Sequence, residues 1–344
     1  MNLPRHLASR HPSGKTLEEG ELTRQLDPDS PPDSLLAPSD SVKVLAQYGK
    51  SFRFAGRFLS QKVLQDCARL YHFCRLLDDV VDESDDKSVA LIALKQVRLD
   101  LKQHSSRQSV VQDFIRLAEY YSFDLDSAEE LINGLESDLS KVEIESEPEL
   151  KRYCYRVAGV VGIFMCQIMG VRNKQALAHG VDLGIAMQMT NIARDVIEDA
   201  AAGRRYLPAD WVDGCSAREL QMPNHPKTSE MRLGVKHLLA EADLYYFSAW
   251  KGLKYLPLRN RIAIAVAAEV YRGIGVKLRR KDCDIWKGRV RIGIFLKSAL
   301  AMKALIKLFK ICLRQHDSAP HQMELHRALK SLPHTNTFQV EADN

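Results

Sequence analysis

Two pairs of aspartates, each spaced by four residues, are the groups in this chain best suited to chemistry. The first pair is Asp78 and Asp82, and the second is Asp195 and Asp199. Residues four apart share one face of a helix, so each pair would present two carboxylates side by side. Oxygen ligands suit Mg²⁺ or Mn²⁺, and Mg²⁺ commonly bridges to substrate phosphates. The spacing therefore predicts a divalent-cation site for a phosphate-bearing substrate.

Each pair continues an apolar helical seam. The seam consists of Leu64, Ala68 and Tyr71 before the first pair, and of Leu177, Val181 and Gly184 before the second. A single pair of this spacing is most often a solvated charged face. A carboxylate on a core-facing seam needs a partner or a metal ion, so two such seams favour a functional site. A di-iron centre is not expected, because the chain contains no Glu-x-x-His.

Other polar groups lie close to the acids in the sequence. Arg75 precedes Asp78 by one helical turn, and Gln188 and Asn191 precede Asp195 by two turns and one. Past the second pair, the sequence Gly-Arg-Arg-Tyr-Leu-Pro at 203–208 has two interpretations: a mobile basic flap over the site, or a surface loop with ordinary arginines. The sequence leaves both open.

Composition limits the class of protein. The chain has 344 residues, of which 45% are hydrophobic, enough for one large or two ordinary domains. The formal net charge of +5 is too small to indicate nucleic-acid binding. Seven scattered cysteines indicate reduced thiols in a cytoplasmic protein. No apolar signal segment follows the first methionine, and no uncharged run reaches the roughly 20 residues of a spanning helix.

The hydrophobic pattern predicts an all-α fold. Helices are expected at 61–84, 88–104, 107–121, 126–142, 148–170, 174–202, 229–254, 258–282, 292–314 and 321–331. The glycine-rich stretch 157–162 predicts a kink or a close helix contact. We expect a flexible proline-rich tail at 1–40, one helical domain at 41–315 and a C-terminal tail at 316–344.

The segment 287–314 is basic and partly apolar. It contains eight lysines and arginines and no acid. One interpretation is a core helix with a basic solvent face; the other is peripheral docking on the anionic inner surface of a membrane.

Five sequence blocks, in order, resemble the squalene/phytoene synthase family, with bacterial phytoene-forming members the most similar. The blocks are Ser51-Phe52, 71–82, 153–162, 188–199 and 203–211, within a matching region of about 45–292. The resemblance implies a single-domain isoprenoid (prenyl) synthase fold with helices around a central hydrophobic cavity. The long proline-rich N-terminal tail departs from the bacterial pattern.

The activity implied is the head-to-head condensation of two geranylgeranyl diphosphates, through prephytoene diphosphate, to phytoene. Mg²⁺ would be the cofactor, with Mn²⁺ as a substitute and no NADPH. The alternative is a squalene or dehydrosqualene synthase acting on farnesyl diphosphate, and a remote one is a non-catalytic helical scaffold. The oligomeric state stays open.

The resemblance also implies roles for individual residues. The catalytic set is Asp78, Asp82, Asp195, Asp199 and Tyr153, and the metal ligands are the same four aspartates with Asn191. The diphosphate contacts are Ser51, Arg75, Gln188, Asn191, Tyr271 and Arg289. The prenyl tunnel is lined by Tyr153, Val157, Val161 and Gly162.

Overall fold

The computed structural model describes residues 39–84, 86–171, 173–313 and 321–335. Within these ranges the chain forms thirteen α-helices and no β-strand. They are α1 (Ser39–Tyr48), α2 (Lys50–Gly56), α3 (Gln61–Asp82), α4 (Lys87–Lys102), α5 (Ser109–Tyr121), α6 (Leu125–Ser137), α7 (Glu147–Cys154), α8 (Val160–Ile168), α9 (Lys174–Ala201), α10 (Ala217–Leu220), α11 (Thr228–Gly252), α12 (Leu258–Arg280) and α13 (Ile294–Leu313). The predicted all-α class is confirmed.

Most predicted helices end within a few residues of the observed ones, because their ends carry local signals. The Ser60 side chain accepts a hydrogen bond from the backbone of Val63 and caps α3. Gly203 follows α9 with a φ of +76°, a conformation that favours glycine. The prediction was wrong at 138–142, where the chain has left α6, and at 323–329, where the helix is 3₁₀ and not α.

The predicted tails lie largely outside the described residues. Of the N-terminal tail, only 39 and 40 are described, and they begin α1. Of the C-terminal segment, 321–335 is described and packs against the helices, with Leu325 and Leu329 buried. The helical domain therefore extends beyond the expected boundary at 315.

α9 is the central helix, and it packs against α7, α8, α10, α11 and α12. It meets α8 at unusually short range. A Cβ on Gly162 would lie 2.1 Å from the carbonyl oxygen of Gly180, and one on Gly184 would lie 2.2 Å from that of Ala158. The chain also forms a π-helical turn at Tyr155–Gly159 before α8. Both the disturbed helix and the close contact expected at 157–162 are therefore present.

None of the described helices is long and apolar enough to cross a membrane. The amphipathic helices instead surround an interior with two adjoining apolar cavities, which are described below.

Gly184→Ala is expected to destabilise the fold by at least about 2 kcal/mol, because its methyl group would overlap backbone atoms that cannot move independently. The free energy of unfolding in denaturant measures this. Gly293→Ala is the control, since a Cβ there meets nothing within 4 Å, and we expect a change within about 0.5 kcal/mol. Equal effects of the two substitutions would contradict the close contact.

Candidate active site

Asp195 of the second acidic pair is held by two guanidinium groups. Arg194 donates to its two carboxylate oxygens at 2.8 and 2.5 Å, and Arg289 Nη2 donates to Oδ2 at 2.7 Å. α9 bends at Asp195, where φ is −109° and ψ is 15°. Two cationic groups on one carboxylate leave a net positive charge, which favours an anionic ligand nearby.

The first acidic pair lies at the end of α3. Asp78 is buried, and burial, with a smaller contribution from the charge of Asp82, raises the pKa of its carboxyl to about 7. Arg75 forms an ion pair with Asp79, and its guanidinium lies 4.8 Å from the ring centre of Tyr48. The guanidinium of Arg75 therefore lies beside the first acidic motif, as its spacing from Asp78 predicted, and its ion-pair partner is Asp79.

Arg204 joins the two motifs. Its guanidinium donates to Asp82 at 2.8 Å, and its backbone N–H donates to the carbonyl oxygen of Asp199 at 2.9 Å. The two contacts fix the carboxyl end of α3 beside the carboxyl end of α9. The aspartate pairs, more than a hundred positions apart in the sequence, therefore lie at the same end of the molecule.

The structure of segment 203–208 matches neither the basic flap nor the ordinary surface loop that the sequence left open. Arg205 is buried and donates to the carbonyl oxygens of Ile144 and Leu207. Its backbone N–H bonds to Val142 at 2.8 Å, which gives a short parallel bridge between Glu143 and Arg205. Arg205 therefore anchors the segment, and Arg204 reaches the acids.

Gln188 and Asn191 present unused polar atoms at the same end of α9. Asn191 Nδ2 lies 3.4 Å from Gln188 Oε1. Asn191 Oδ1 and Gln188 Nε2 are buried and have no hydrogen-bond partner among the described residues. An unsatisfied buried acceptor beside an unsatisfied buried donor suits a ligand that satisfies both kinds of group. A divalent cation with a diphosphate provides this combination, and the donor set near it is oxygen-rich.

Tyr271 closes the site from α12. Its side chain is buried, and burial, with the nearby Asp195, raises the pKa of its hydroxyl to about 12. The ring of Phe52 lies 5.0 Å from that of Tyr271 and 6.3 Å from that of Tyr71. Ser51 precedes Phe52 on α2, at the rim of this aromatic group.

Tyr153 was expected to line the prenyl tunnel, but it lines neither of the two cavities described below. Its hydroxyl donates to Asp138 at 2.9 Å, and Tyr206 donates to the other oxygen of the same carboxylate at 2.9 Å. The two rings stack at 4.8 Å, and burial raises the pKa of Asp138. Val157 is also absent from the cavity walls and is buried against α6, where a Cβ on Gly134 would lie 2.9 Å from its Cγ1.

The α9 cavity, with an empty volume of about 850 Å³, extends along α9. Its α9 wall consists of Ala176, His179, Gly180, Leu183, Gly184, Met187, Gln188 and Asn191. Val161 and Gly162 face it from α8, as predicted. The span from Ala176 to Asn191 corresponds to about 22 Å at the helical rise. Its polar end, at Asn191, lies one turn from Asp195.

The α3 cavity adjoins the first, with an empty volume of about 610 Å³. Its α3 wall consists of Leu64, Cys67, Leu70, Tyr71 and Cys74, which ends one turn before Asp78. The two cavities share wall residues Phe52, Val161, Met165, Met169, Ile264 and Ala267. Each aspartate-bearing helix therefore provides the wall of one cavity and the acids at its end.

One set of described His, Cys, Asp and Glu side chains brings three liganding atoms within 4.8 Å of one another, and it is not the aspartate pairs. It consists of His179, Asp182 and His321, all buried. The carboxylates of the two motifs are therefore not, among the described residues, within 4.8 Å of one another as a group of three or more.

The sequence analysis did not identify three residues that contribute to the candidate site, Arg194, Arg204 and Asp138. Neighbouring residues do not face each other on a regular helix, so Arg194 was not connected with Asp195 before the bend in α9 was known. Arg204 was noted only as part of a basic segment. Asp138 carries no local signal, because its partners Tyr153 and Tyr206 are 15 and 68 positions away.

Comparisons with known proteins agree with this architecture. The family model for squalene/phytoene synthase matches residues 45–295. The 15-cis-phytoene synthase of Pantoea ananas is 34% identical over 300 residues, covering 81% of this chain and 94% of that protein. The 15-cis-phytoene synthase of Enterobacter agglomerans is 35% identical over 268 residues, covering 74% and 90%. The chain belongs to the squalene/phytoene synthase family.

Solved structures share the fold. A dehydrosqualene synthase in complex with ligand superposes with a TM-score of 0.72 at 23% identity, covering 78% of this chain and 95% of that one. A squalene synthase from Alicyclobacillus acidocaldarius gives a TM-score of 0.63 at 18% identity, covering 70% and 92%. The expected isoprenoid synthase fold is thus confirmed.

Cation binding at the first motif is expected to weaken as the pH falls below about 7. The raised pKa of Asp78 means that its carboxyl holds a proton there, and a proton competes with a metal ion. The Mg²⁺ dissociation constant, measured by calorimetry, should rise up to about tenfold per pH unit below 7 and be constant above 8. Asp78→Asn should bind weakly at every pH. An equally steep dependence in that variant would assign the proton elsewhere.

Proposed function

We propose that this chain is a phytoene synthase, which joins two geranylgeranyl diphosphates head to head through prephytoene diphosphate. The observation that carries the proposal is the pair of adjoining apolar cavities, each of which runs along an aspartate-bearing helix and ends about one turn before its acidic motif. An enzyme that couples two long hydrocarbon chains needs two such channels, with their polar ends side by side. Of the wall residues that both cavities share, Phe52 lies beside Tyr271, and the two reacting ends would meet there.

The length of the α9 cavity favours a C20 chain. An extended chain advances about 1.3 Å per carbon–carbon bond, so a geranylgeranyl group is ~20 Å long and a farnesyl group is ~14 Å. The α9 wall corresponds to about 22 Å. The two bacterial relatives that are 34% and 35% identical are phytoene synthases, which supports the same choice.

In this proposal Asp78, Asp82, Asn191, Asp195 and Asp199 hold Mg²⁺, and Ser51, Arg75, Gln188, Asn191, Tyr271 and Arg289 contact the diphosphates. Bound Mg²⁺ would supply electrostatic stabilisation of the leaving diphosphate. The arginines now paired with carboxylates are the anion-binding groups of this chain. Arg289, whose present partner Asp195 is one of the proposed ligands, would then be available to phosphate oxygens, and Arg75 would reach them from beside Asp79.

The reaction needs two ionisations and no redox partner. In the first, the C–O bond of one substrate breaks, its diphosphate leaves with the electron pair, and the cation adds to a double bond of the second substrate, which loses a proton as the cyclopropane of prephytoene diphosphate closes. In the second, the remaining C–O bond breaks in the same way, and the rearranged carbocation loses a proton to give the hydrocarbon. The apolar walls would exclude water, which would otherwise capture the cation. Two aromatic side chains near the polar end, the partly buried Phe52 and the buried Tyr71, offer ring faces to it. Tyr153 and Asp138 would act on the site through Tyr206, without lining a cavity.

The alternative is a squalene or dehydrosqualene synthase that uses farnesyl diphosphate. It shares the aspartates and differs in chain length and in the final step, since a squalene synthase consumes NADPH. The fold does not distinguish the two functions, because a dehydrosqualene synthase and a squalene synthase share it with this chain. A non-catalytic scaffold would not require all four aspartates, which the chain retains.

The test is incubation of the purified chain with Mg²⁺ and farnesyl or geranylgeranyl diphosphate, with and without NADPH, followed by identification of the hydrocarbon. We expect phytoene from geranylgeranyl diphosphate, independent of NADPH, and little product from farnesyl diphosphate. Squalene formed only with NADPH would overturn the proposal.

The same assay tests the aspartates. Asp78→Asn and Asp195→Asn preserve shape and remove a charge, and each should lower turnover by at least about a hundredfold with the helical circular dichroism unchanged. Asp126→Asn, at an exposed position on α6, is the control and should retain activity. Full activity in either motif variant would place the metal elsewhere.

We also propose that α13 contacts an anionic membrane surface. Its inner face, with Ala301, Ala304 and Leu308, is buried and packs on α12. Its outer face presents an apolar stripe at helical spacing, Phe295, Met302, Ile306 and Phe309, with Phe295 90% exposed. Lysines flank the stripe, and no acid occurs from 287 to 314. An apolar stripe with basic flanks suits a lipid surface, where hydrophobic substrates and products collect.

Sedimentation with vesicles tests this contact. The protein should bind vesicles containing phosphatidylglycerol and much less to neutral phosphatidylcholine, and the double variant Phe295→Ser with Phe309→Ser should lose most of the binding. Phe247→Ser is the matched control, because Phe247 is 60% exposed on α11, away from the stripe. Equal loss in the control, or equal binding to both kinds of vesicle, would contradict the assignment.

A further inference from the structure

A closed polar cluster lies inside the helical domain, remote from the aspartate motifs. Its centre is Asp182, which has no exposed surface. One carboxylate oxygen accepts from His326 Nε2 at 2.9 Å, and the other accepts from His321 Nε2 at 2.8 Å. Ser248 donates to the second oxygen as well. Burial alone would raise the pKa of Asp182, but the hydrogen bonds from the histidines outweigh it and lower the pKa to about 2.

The cluster joins three distant parts of the chain. Asp182 belongs to α9, Ser248 to α11, and the two histidines to the segment 321–335. The carboxylate already accepts three hydrogen bonds, so its lone pairs are largely used without a metal ion. Its evident effect is to fix the C-terminal segment and Ser248 against α9.

His179 connects this cluster with the α9 cavity. Its Nδ1 lies 3.0 Å from Ser248 Oγ. Because the serine gives its one proton to Asp182, it accepts from His179 Nδ1–H, and this fixes both the tautomer and the ring orientation. Gly252 permits this placement, since a Cβ there would lie 2.3 Å from His179 Cβ.

The ring of His179 forms part of the cavity wall at the end opposite the aspartates. It lies twelve residues before Asn191 on α9, which corresponds to about 18 Å along the helix. The tail of a C20 chain whose diphosphate lies at Asn191 would reach this level, and a C25 chain of ~25 Å would extend beyond it. Burial lowers the pKa of His179 to about 4, so the ring that meets the hydrocarbon is uncharged at neutral pH.

We propose that His179 is a chain-length-determining residue, held in the distal wall of the α9 cavity by Ser248 and Asp182. The inference rests on the proposed prenyltransferase function and adds to it the residue that limits the substrate. Ser248 and Asp182 are positioning residues, since they act through the orientation of the histidine.

The experiment measures kcat/KM for diphosphate release with farnesyl, geranylgeranyl and geranylfarnesyl diphosphates. His179→Ala removes the ring from the distal wall of the cavity, and the C25-to-C20 ratio of kcat/KM should rise by at least about tenfold. His179→Phe keeps the site filled with a larger ring, and the C20-to-C15 ratio should fall by about tenfold. Ser248→Ala removes the hydrogen bond that orients the ring of His179. The C25-to-C20 ratio of this variant should therefore rise by a smaller factor.

Val181→Ala is the matched control, because Val181 is fully buried on the same helix and lines neither cavity. It should lower stability while leaving both ratios within about twofold of wild type. Unchanged ratios in two active His179 variants would overturn the inference. A wild-type protein that releases diphosphate from none of the three substrates would instead overturn the proposed function.

Discussion

The structure depends on how buried carboxylates are neutralised inside an apolar helical domain. A buried charge is tolerated only with partners, and the two acidic motifs obtain part of theirs from distant parts of the chain. Arg289 reaches Asp195 from beyond α12, and Arg204 reaches Asp82 from beyond α9. These ion pairs close the polar end of the two cavities and collect positive charge where an anionic substrate would bind.

α9 combines three tasks along one helix. Its carboxyl end carries the second acidic pair and bends at Asp195. One face of its amino-terminal half is narrow, because Gly180 and Gly184 let α8 and the preceding π-helical turn approach at backbone distance, and the neighbouring cavity runs along this contact. Its amino-terminal half carries Asp182, which ties the C-terminal segment to the core. Polar groups therefore fix both ends of an apolar channel, and the channel between them is shaped by packing.

The local parts of this arrangement were predictable. Helical periodicity and capping signals gave the helices, the four-residue spacing gave the two acidic faces, and the glycines at 157–162 indicated the close contact and the disturbed turn. Val161 and Gly162 were placed correctly on a cavity wall. Tyr153 and Val157 were not, because Tyr153 bonds to Asp138 and Val157 packs against α6.

The sequence by itself determined the helical class, the family and the acidic motifs, since each follows from interactions within a few residues or from blocks that occur in order. Only the tertiary structure decided which arginine meets which aspartate, where Tyr153 points and how the two cavities adjoin. It also brought His321 and His326 to Asp182, across 139 and 144 positions. Contacts of that kind depend on how whole helices pack, and packing is a property of all faces together, which no single stretch of sequence contains.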